Sequence, residues 1–151
     1  MIYKYILLSI EYIYQKILRM RYKYLEHTAD IKFQSFGKTL EEAFSNAAYA
    51  MINILSEDKI KEKTEKKIKV KGIDKKSLLC SFLEEILFLL NTENFILSKV
   101  KEIKIKEKEL TATLTGDNLS DYHLGLDIKA VTYNDMFIKE KPFVVQVVLD
   151  I

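Results

Sequence analysis

The chain has 151 residues, of which 48% are hydrophobic and 30% charged. That composition describes one globular domain with enough apolar mass to bury a core. A formal net charge of +2 is too small to argue by itself for nucleic acid or a membrane surface, and a single cysteine excludes an internal disulfide.

Met1 to Arg19 is apolar and aromatic, interrupted by Lys4, Glu11 and Lys16. Its uninterrupted apolar core is too short for a membrane span, and no small-residue cleavage site follows. As a helix it is expected to be amphipathic only in part. Met20 stands at its end, so the simplest reading of residues 1–19 is a start assigned too early. The second reading is an extra helix that docks on the domain or on a partner.

Tyr22 to Leu25 alternates as a strand and runs into the polar cluster His27, Thr28 and Asp30. A second alternating run, Ile31 to Phe36, follows. Thr and Asp at a strand junction commonly cap a turn through nearby backbone amides. Thr39-Leu40-Glu41-Glu42 is a capping box. Behind it Leu40, Ala43, Phe44, Ala47, Ala48, Met51, Ile52 and Leu55 recur at helical spacing. The small residues let this helix lie close to a sheet. Ser56 to Lys67 is charged and aperiodic, hence a loop, and Lys66 to Lys71 alternates around Ile68 and Val70 as a strand.

Asp74 or Ser77 caps a second helix, whose wide apolar stripe runs from Leu78 to Leu90 and implies deep burial. Cys80 falls inside it and reads as a buried thiol. Asn91 to Asn94 ends it. The rest is strand-like: Val100 to Ile105, Leu110 to Leu114, Ile128 to Tyr133, Met136 to Lys139 and Phe143 to Leu149. Two helices on one face of a mostly antiparallel sheet form the economical architecture, a single-domain α+β two-layer sandwich over residues 20–151.

Asp30 follows a turn, Asp150 ends the last strand, and Ile151 adds the terminal carboxylate. If those strand ends meet, three anions share a small volume, which requires a cation or a retained proton. Oxygen donors of this kind suit Ca²⁺ or Mg²⁺ better than Zn²⁺. The plainer alternative is that these acids are solvated. His27 has no Cys or second His at zinc spacing. It either orients Asp30 or hydrogen-bonds its own turn, and the second is preferred. The lysines of Lys59 to Lys76 alternate with acids and lack stacking aromatics, so they read as a solvated face. The sequence carries no phosphate-binding loop, nucleophile elbow or dinucleotide fingerprint.

Three segments in order resemble the archease family. They are Tyr22-Lys23-Tyr24-Leu25-Glu26-His27-Thr28-Ala29-Asp30, with Gly37-Lys38-Thr39-Leu40-Glu41-Glu42-Ala43-Phe44 soon after it, then Lys129-Ala130-Val131-Thr132-Tyr133, and the closing Val148-Leu149-Asp150-Ile151. The resemblance runs from about Met20 to Ile151. It implies a metal, Ca²⁺ first with Mg²⁺ or Mn²⁺ as alternatives, held by Asp30, Asp150 and Ile151. It places Lys129, with Asp127 and His27, on a charged functional surface. Two positions depart from the family: Asp127 stands where Glu is usual, and Asn134 where His is usual, which puts in doubt any step needing an imidazole there. The resemblance further implies a cytoplasmic accessory protein, itself not an enzyme. Its partner would be an RtcB-type GTP-dependent RNA ligase of tRNA splicing, with RNA contacted only through the ligase and no membrane partner. It would promote guanylylation of the ligase and multiple turnover. The alternatives are a general protein chaperone or interaction module, and a metal-dependent hydrolase.

Overall fold

A computed structural model describes residues 1–151, with the side chain of Leu18 left aside. The elements in order are α1 (Ile2–Arg19), β1 (Tyr22–Leu25), β2 (Ile31–Gly37), α2 (Leu40–Leu55), β3 (Thr64–Lys71), α3 (Lys75–Glu93), β4 (Phe95–Lys106), β5 (Glu109–Asn118), a 3₁₀ turn (Leu119–Asp121), β6 (Ala130–Lys139) and β7 (Phe143–Asp150). The α+β class is as the sequence implies. The strands, however, form two antiparallel sheets where one was expected, in the orders β1-β2-β7-β6 and β3-β5-β4.

Both expected helices start where their side chains dictate. Thr39 Oγ1 accepts the Glu42 amide at 3.1 Å, and Glu42 reaches back to the Lys38 amide at 3.1 Å. On α3, Asp74 Oδ1 accepts the Ser77 amide at 2.8 Å while Ser77 Oγ accepts the Asp74 amide at 3.1 Å. These bonds satisfy first-turn amides that have no partner within the helix. Asn94 ends α3 in the left-handed region, a conformation Asn tolerates.

Helix α2 packs on β2 and β7 of one sheet and on β4 of the other, while α3 packs on β6 and on the smaller sheet. The two helices thus join the sheets around one core. Ala43, Ala47 and Ala48 are fully buried, as close packing on a sheet requires. Gly37 permits the tight β2–α2 connection, because a Cβ there would run into the Ala43 amide. Phe44 stacks on Phe82 between the helices at 6.4 Å. Cys80 is buried beneath β6, and burial, with Glu84 adding to it, pushes its thiol up to about 11. It is therefore an inert packing residue at neutral pH.

Residues 2–19 form one continuous helix whose apolar side chains face solvent from Ile2 through Tyr14. It is amphipathic in part, as expected, since Leu8 and Tyr12 share the side that carries Lys4 and Arg19. Ile6, Ile10, Ile13 and Ile17 recur at spacings of four, three and four, which confines them to one narrow arc.

Candidate functional site

The site grows from the turn between β1 and β2. Those strands pair antiparallel from Tyr22↔Ser35 to Leu25↔Lys32, so the turn comprises Glu26 to Asp30. Ala29 closes it at φ 68°, where a Cβ is disfavoured. Such a position persists only where the surroundings over-determine it, and it is a reason to look for function there. Among the described residues, neither Thr28 nor Asp30 makes a side-chain hydrogen bond within the turn. The turn-capping role is therefore not what these residues do.

Strand β2 next pairs with β7, ending at Ile31↔Leu149. Asp30 and Asp150 each lie one residue past that pair, on adjoining strands, with Ile151 following. Strand β6 begins at Ala130↔Asp150, and the Lys129 amide donates to the Asp150 carbonyl at 2.8 Å. One end of the larger sheet thus collects Asp30, from the first strands of the domain, with Lys129, Asp150 and Ile151 from the last ones. Asp30, Asp150 and Ile151 are half-buried, whereas Asp127 and Lys129 are exposed. Among the described residues, no three His, Cys, Asp or Glu side chains gather at metal-holding spacing. Any cation there would rest on the two aspartates and the terminal carboxylate, a hard oxygen set.

One row further in lies a feature the sequence reading missed. Lys32 pairs with Val148, and Val148 with Thr132. From that row to the next, Gln146↔Phe137, β6 advances five residues while β7 advances two. The surplus is a bulge, and it brings Asp135 over the sheet with φ 52°. Asp135 Oδ2 lies 3.1 Å from Lys32 Nζ and 3.9 Å from His27 Nε2. Gln34 Nε2 donates to Gln146 Oε1 at 2.8 Å, and Gln146 Nε2 to the Asp135 carbonyl at 2.8 Å. That relay across three strands pins the bulge, and Gln146 is itself buried.

His27 therefore makes no hydrogen bond to Asp30 or to its own turn. Its Nε2 looks to Asp135, because the bulge supplies a carboxylate the turn does not, and its Nδ1 is buried without a hydrogen-bond partner. Lys32 is 18% exposed, so its charge is partly withdrawn from water and held by Asp135. The signal for this cluster was present as a break in alternation at Asn134-Asp135, between the expected strands ending at Tyr133 and starting at Met136. The identity of the partners was not.

The other side of the β1–β2 turn opens into a cleft of about 690 Å³. His27 and Asp30 form one wall, the C-terminal end of α2 the floor, and His123 to Leu126 the far wall. That far segment is tied down at several points. The Gly125 amide donates to the Leu55 carbonyl at 2.8 Å and the His123 amide to Asp58 Oδ2 at 3.1 Å. Upstream, the Tyr122 hydroxyl donates to Asp117 at 2.6 Å. This bond, with the Asn118 amide and nearby lysines adding to it, holds the Asp117 carboxyl below the usual range. Leu124 and Leu126 remain exposed on the rim. Asp30 is thus shared between the cleft and the acidic strand ends, while Asp150 and Ile151 stand outside the cleft.

The model of the Archease protein family matches residues 22–151. An archease of Methanosarcina barkeri is 39% identical over 140 residues, covering 87% of this chain and 96% of the relative. An archease of Pyrococcus furiosus is 37% identical over 129 residues, covering 81% and 90%. The solution structure of protein 1598 of Methanobacterium thermoautotrophicum superposes with a TM-score of 0.73 at 29% identity, covering 87% of this chain and 99% of that one. A Thermotoga maritima archease, described as a possible chaperone, superposes with a TM-score of 0.58 at 23% identity over 88% and 98%, which speaks for the fold alone.

Proposed function

The chain belongs to the archease family, and on that premise we propose that it is a cytoplasmic accessory protein, an activator of an RtcB-type GTP-dependent RNA ligase. The observation that supports the reading is that the β2–β7 pairing ends at Ile31↔Leu149, which leaves Asp30 and Asp150 each one residue beyond it, with Ile151 following and the Lys129 amide bonded to the Asp150 carbonyl. Like charges gathered at one strand end are unfavourable by themselves. Their placement is explained if they share a cation with the terminal carboxylate. The donor set fits a hard divalent ion, Ca²⁺ first, since every available ligand is a carboxylate or carbonyl oxygen. Such an ion would supply positive charge for phosphate oxygens brought by the ligase and its GTP.

The residues of this chain do the rest. Lys32, held by Asp135, sets a cationic group one row from the acids, with His27 on the other side of the same carboxylate. Exposed Lys129 and Asp127 offer complementary charge to a docking partner. The bulge keeps this surface in one arrangement, so its organisation does not have to be acquired on docking.

The experiment is the rate of ligase guanylylation and the number of turnovers, with and without this protein. Asp30→Ala and Asp150→Ala are expected to abolish activation while circular dichroism reports an intact fold. Full activation by the folded double variant overturns the reading. A second reading, a chaperone, has the cleft with its exposed Leu124 and Leu126 in its favour. Suppression of aggregation of unrelated unfolded proteins, lost in Leu124→Ser/Leu126→Ser and indifferent to Asp30, is the result that selects it.

A further inference from the structure

Helix α1 lies outside the residues matched by the family model. Every residue from Met1 to Lys16 is exposed, and among the described side chains of this segment only Ile17 and Met20 are partly covered by the body. Ile6, Ile10 and Ile13 are 48%, 57% and 54% exposed on a single arc. A contiguous apolar face of that extent in water is costly, about 25 cal/mol for each Å² left uncovered. On the helical wheel Lys4, Gln15 and Arg19 fall on the opposite side and Lys16 at the flank.

Charge decides what covers this face. The helix carries three basic side chains, Lys4, Lys16 and Arg19, against one acid, Glu11. Setting these aside from the chain's 24 basic and 22 acidic residues leaves 21 of each. The formal charge of +2 therefore resides entirely on α1, and the remainder is neutral. Among the described residues, none of the three cations forms an ion pair. Two copies of such a helix repel one another, since one acid cannot neutralise three bases across a seam. A surface of negative charge attracts it.

The helix cannot cross a bilayer: no helix among the described residues is long and apolar enough. Its 18 residues span about 27 Å when lying flat. Four tyrosines, Tyr3, Tyr5, Tyr12 and Tyr14, supply side chains with an apolar ring and a polar tip, the type that settles at the level of lipid headgroups. A basic, aromatic helix with one apolar face, too short in apolar run to span, is the form that lies in a membrane interface.

We propose that α1 docks the protein on an anionic lipid surface, its isoleucine face in the headgroup–acyl boundary and Lys4, Lys16 and Arg19 against lipid phosphates and carboxylates. The family-matched body is then tethered beside the surface by the short connection from Met20 to β1. This departs from the expectation of no membrane partner, because the family resemblance begins only at about Met20, after α1.

The test is co-sedimentation of the full chain with vesicles of phosphatidylcholine plus phosphatidylserine and of phosphatidylcholine alone. Binding is expected to the first, to fall in high salt, and to be much weaker to the second. Lys16→Gln is expected to lower partitioning roughly fivefold, the equivalent of about 1 kcal/mol for one basic side chain at an anionic surface. Ile10→Glu/Ile13→Glu is expected to remove binding while the urea transition of the body stays in place. Equal binding to both vesicles, binding that survives the double substitution, or no binding to either overturns the proposal. If the unbound wild type sediments as a stable oligomer that the double substitution dissociates, the face is covered by a second copy instead.

Discussion

Helices α1 and α2 have nearly the same length, 18 and 16 residues, and each carries an apolar face, yet one is bare and the other is the centre of the core. The difference lies in side-chain size and in what flanks the helix. The buried face of α2 mixes Ala43, Ala47 and Ala48 with Phe44 and Met51, so backbone can approach sheet with large side chains filling the gaps. It is also bounded by a side-chain cap and by Gly37, which fix where it starts. Helix α1 offers isoleucines and tyrosines, has no side-chain cap bond, and is joined to the body only at its C-terminal end. An apolar stripe shows that something must cover a helix. It does not show whether the cover is in the same chain.

Three substitutions sharpen this comparison. Phe44→Ala removes a fully buried ring that stacks on Phe82. It is expected to cost about 3–5 kcal/mol in urea unfolding, near the whole stability of a small domain. Thr39→Ala deletes the α2 cap and is expected to cost about 1 kcal/mol by the same measurement, with Thr39→Asn restoring most of it. Ile13→Ala in α1 removes a side chain that touches solvent, so it is expected to leave the unfolding of the body within about 0.5 kcal/mol. A loss of 2 kcal/mol or more there, the scale of a core truncation, would show α1 packed on the domain and dissolve the contrast.

Much of the fold was legible because its signals are local. The caps at Thr39 and Asp74 and the apolar periods behind them depend on residues three or four apart, and both helices form where those residues put them. The strand at Lys66 to Lys71 follows from alternation in the same way. The splitting of the strands into two sheets was not legible, since it depends on pairings such as Ile31↔Leu149 that join opposite ends of the chain. The acidic strand ends were anticipated only conditionally, on those ends meeting. The approach of His27 to Asp135 was not legible because the two are 108 residues apart by sequence number, beyond reach of any local pattern.

By itself, then, the sequence determined the helices with their caps, the strand segments, the buried Cys80 and, through three ordered motifs, the family. Each rests on short-range sterics, on hydrogen bonds between near neighbours or on identity of residues. Tertiary structure alone decided that the β2–β7 pairing ends at Ile31↔Leu149 with Asp30 and Asp150 just beyond it, that a bulge delivers Asp135 to Lys32 and His27, and that Ile2, Ile6, Ile10 and Ile13 of α1 stay exposed. Those outcomes depend on strand register and on how much apolar surface the rest of the chain leaves to be covered, quantities set only when every element competes for the same core.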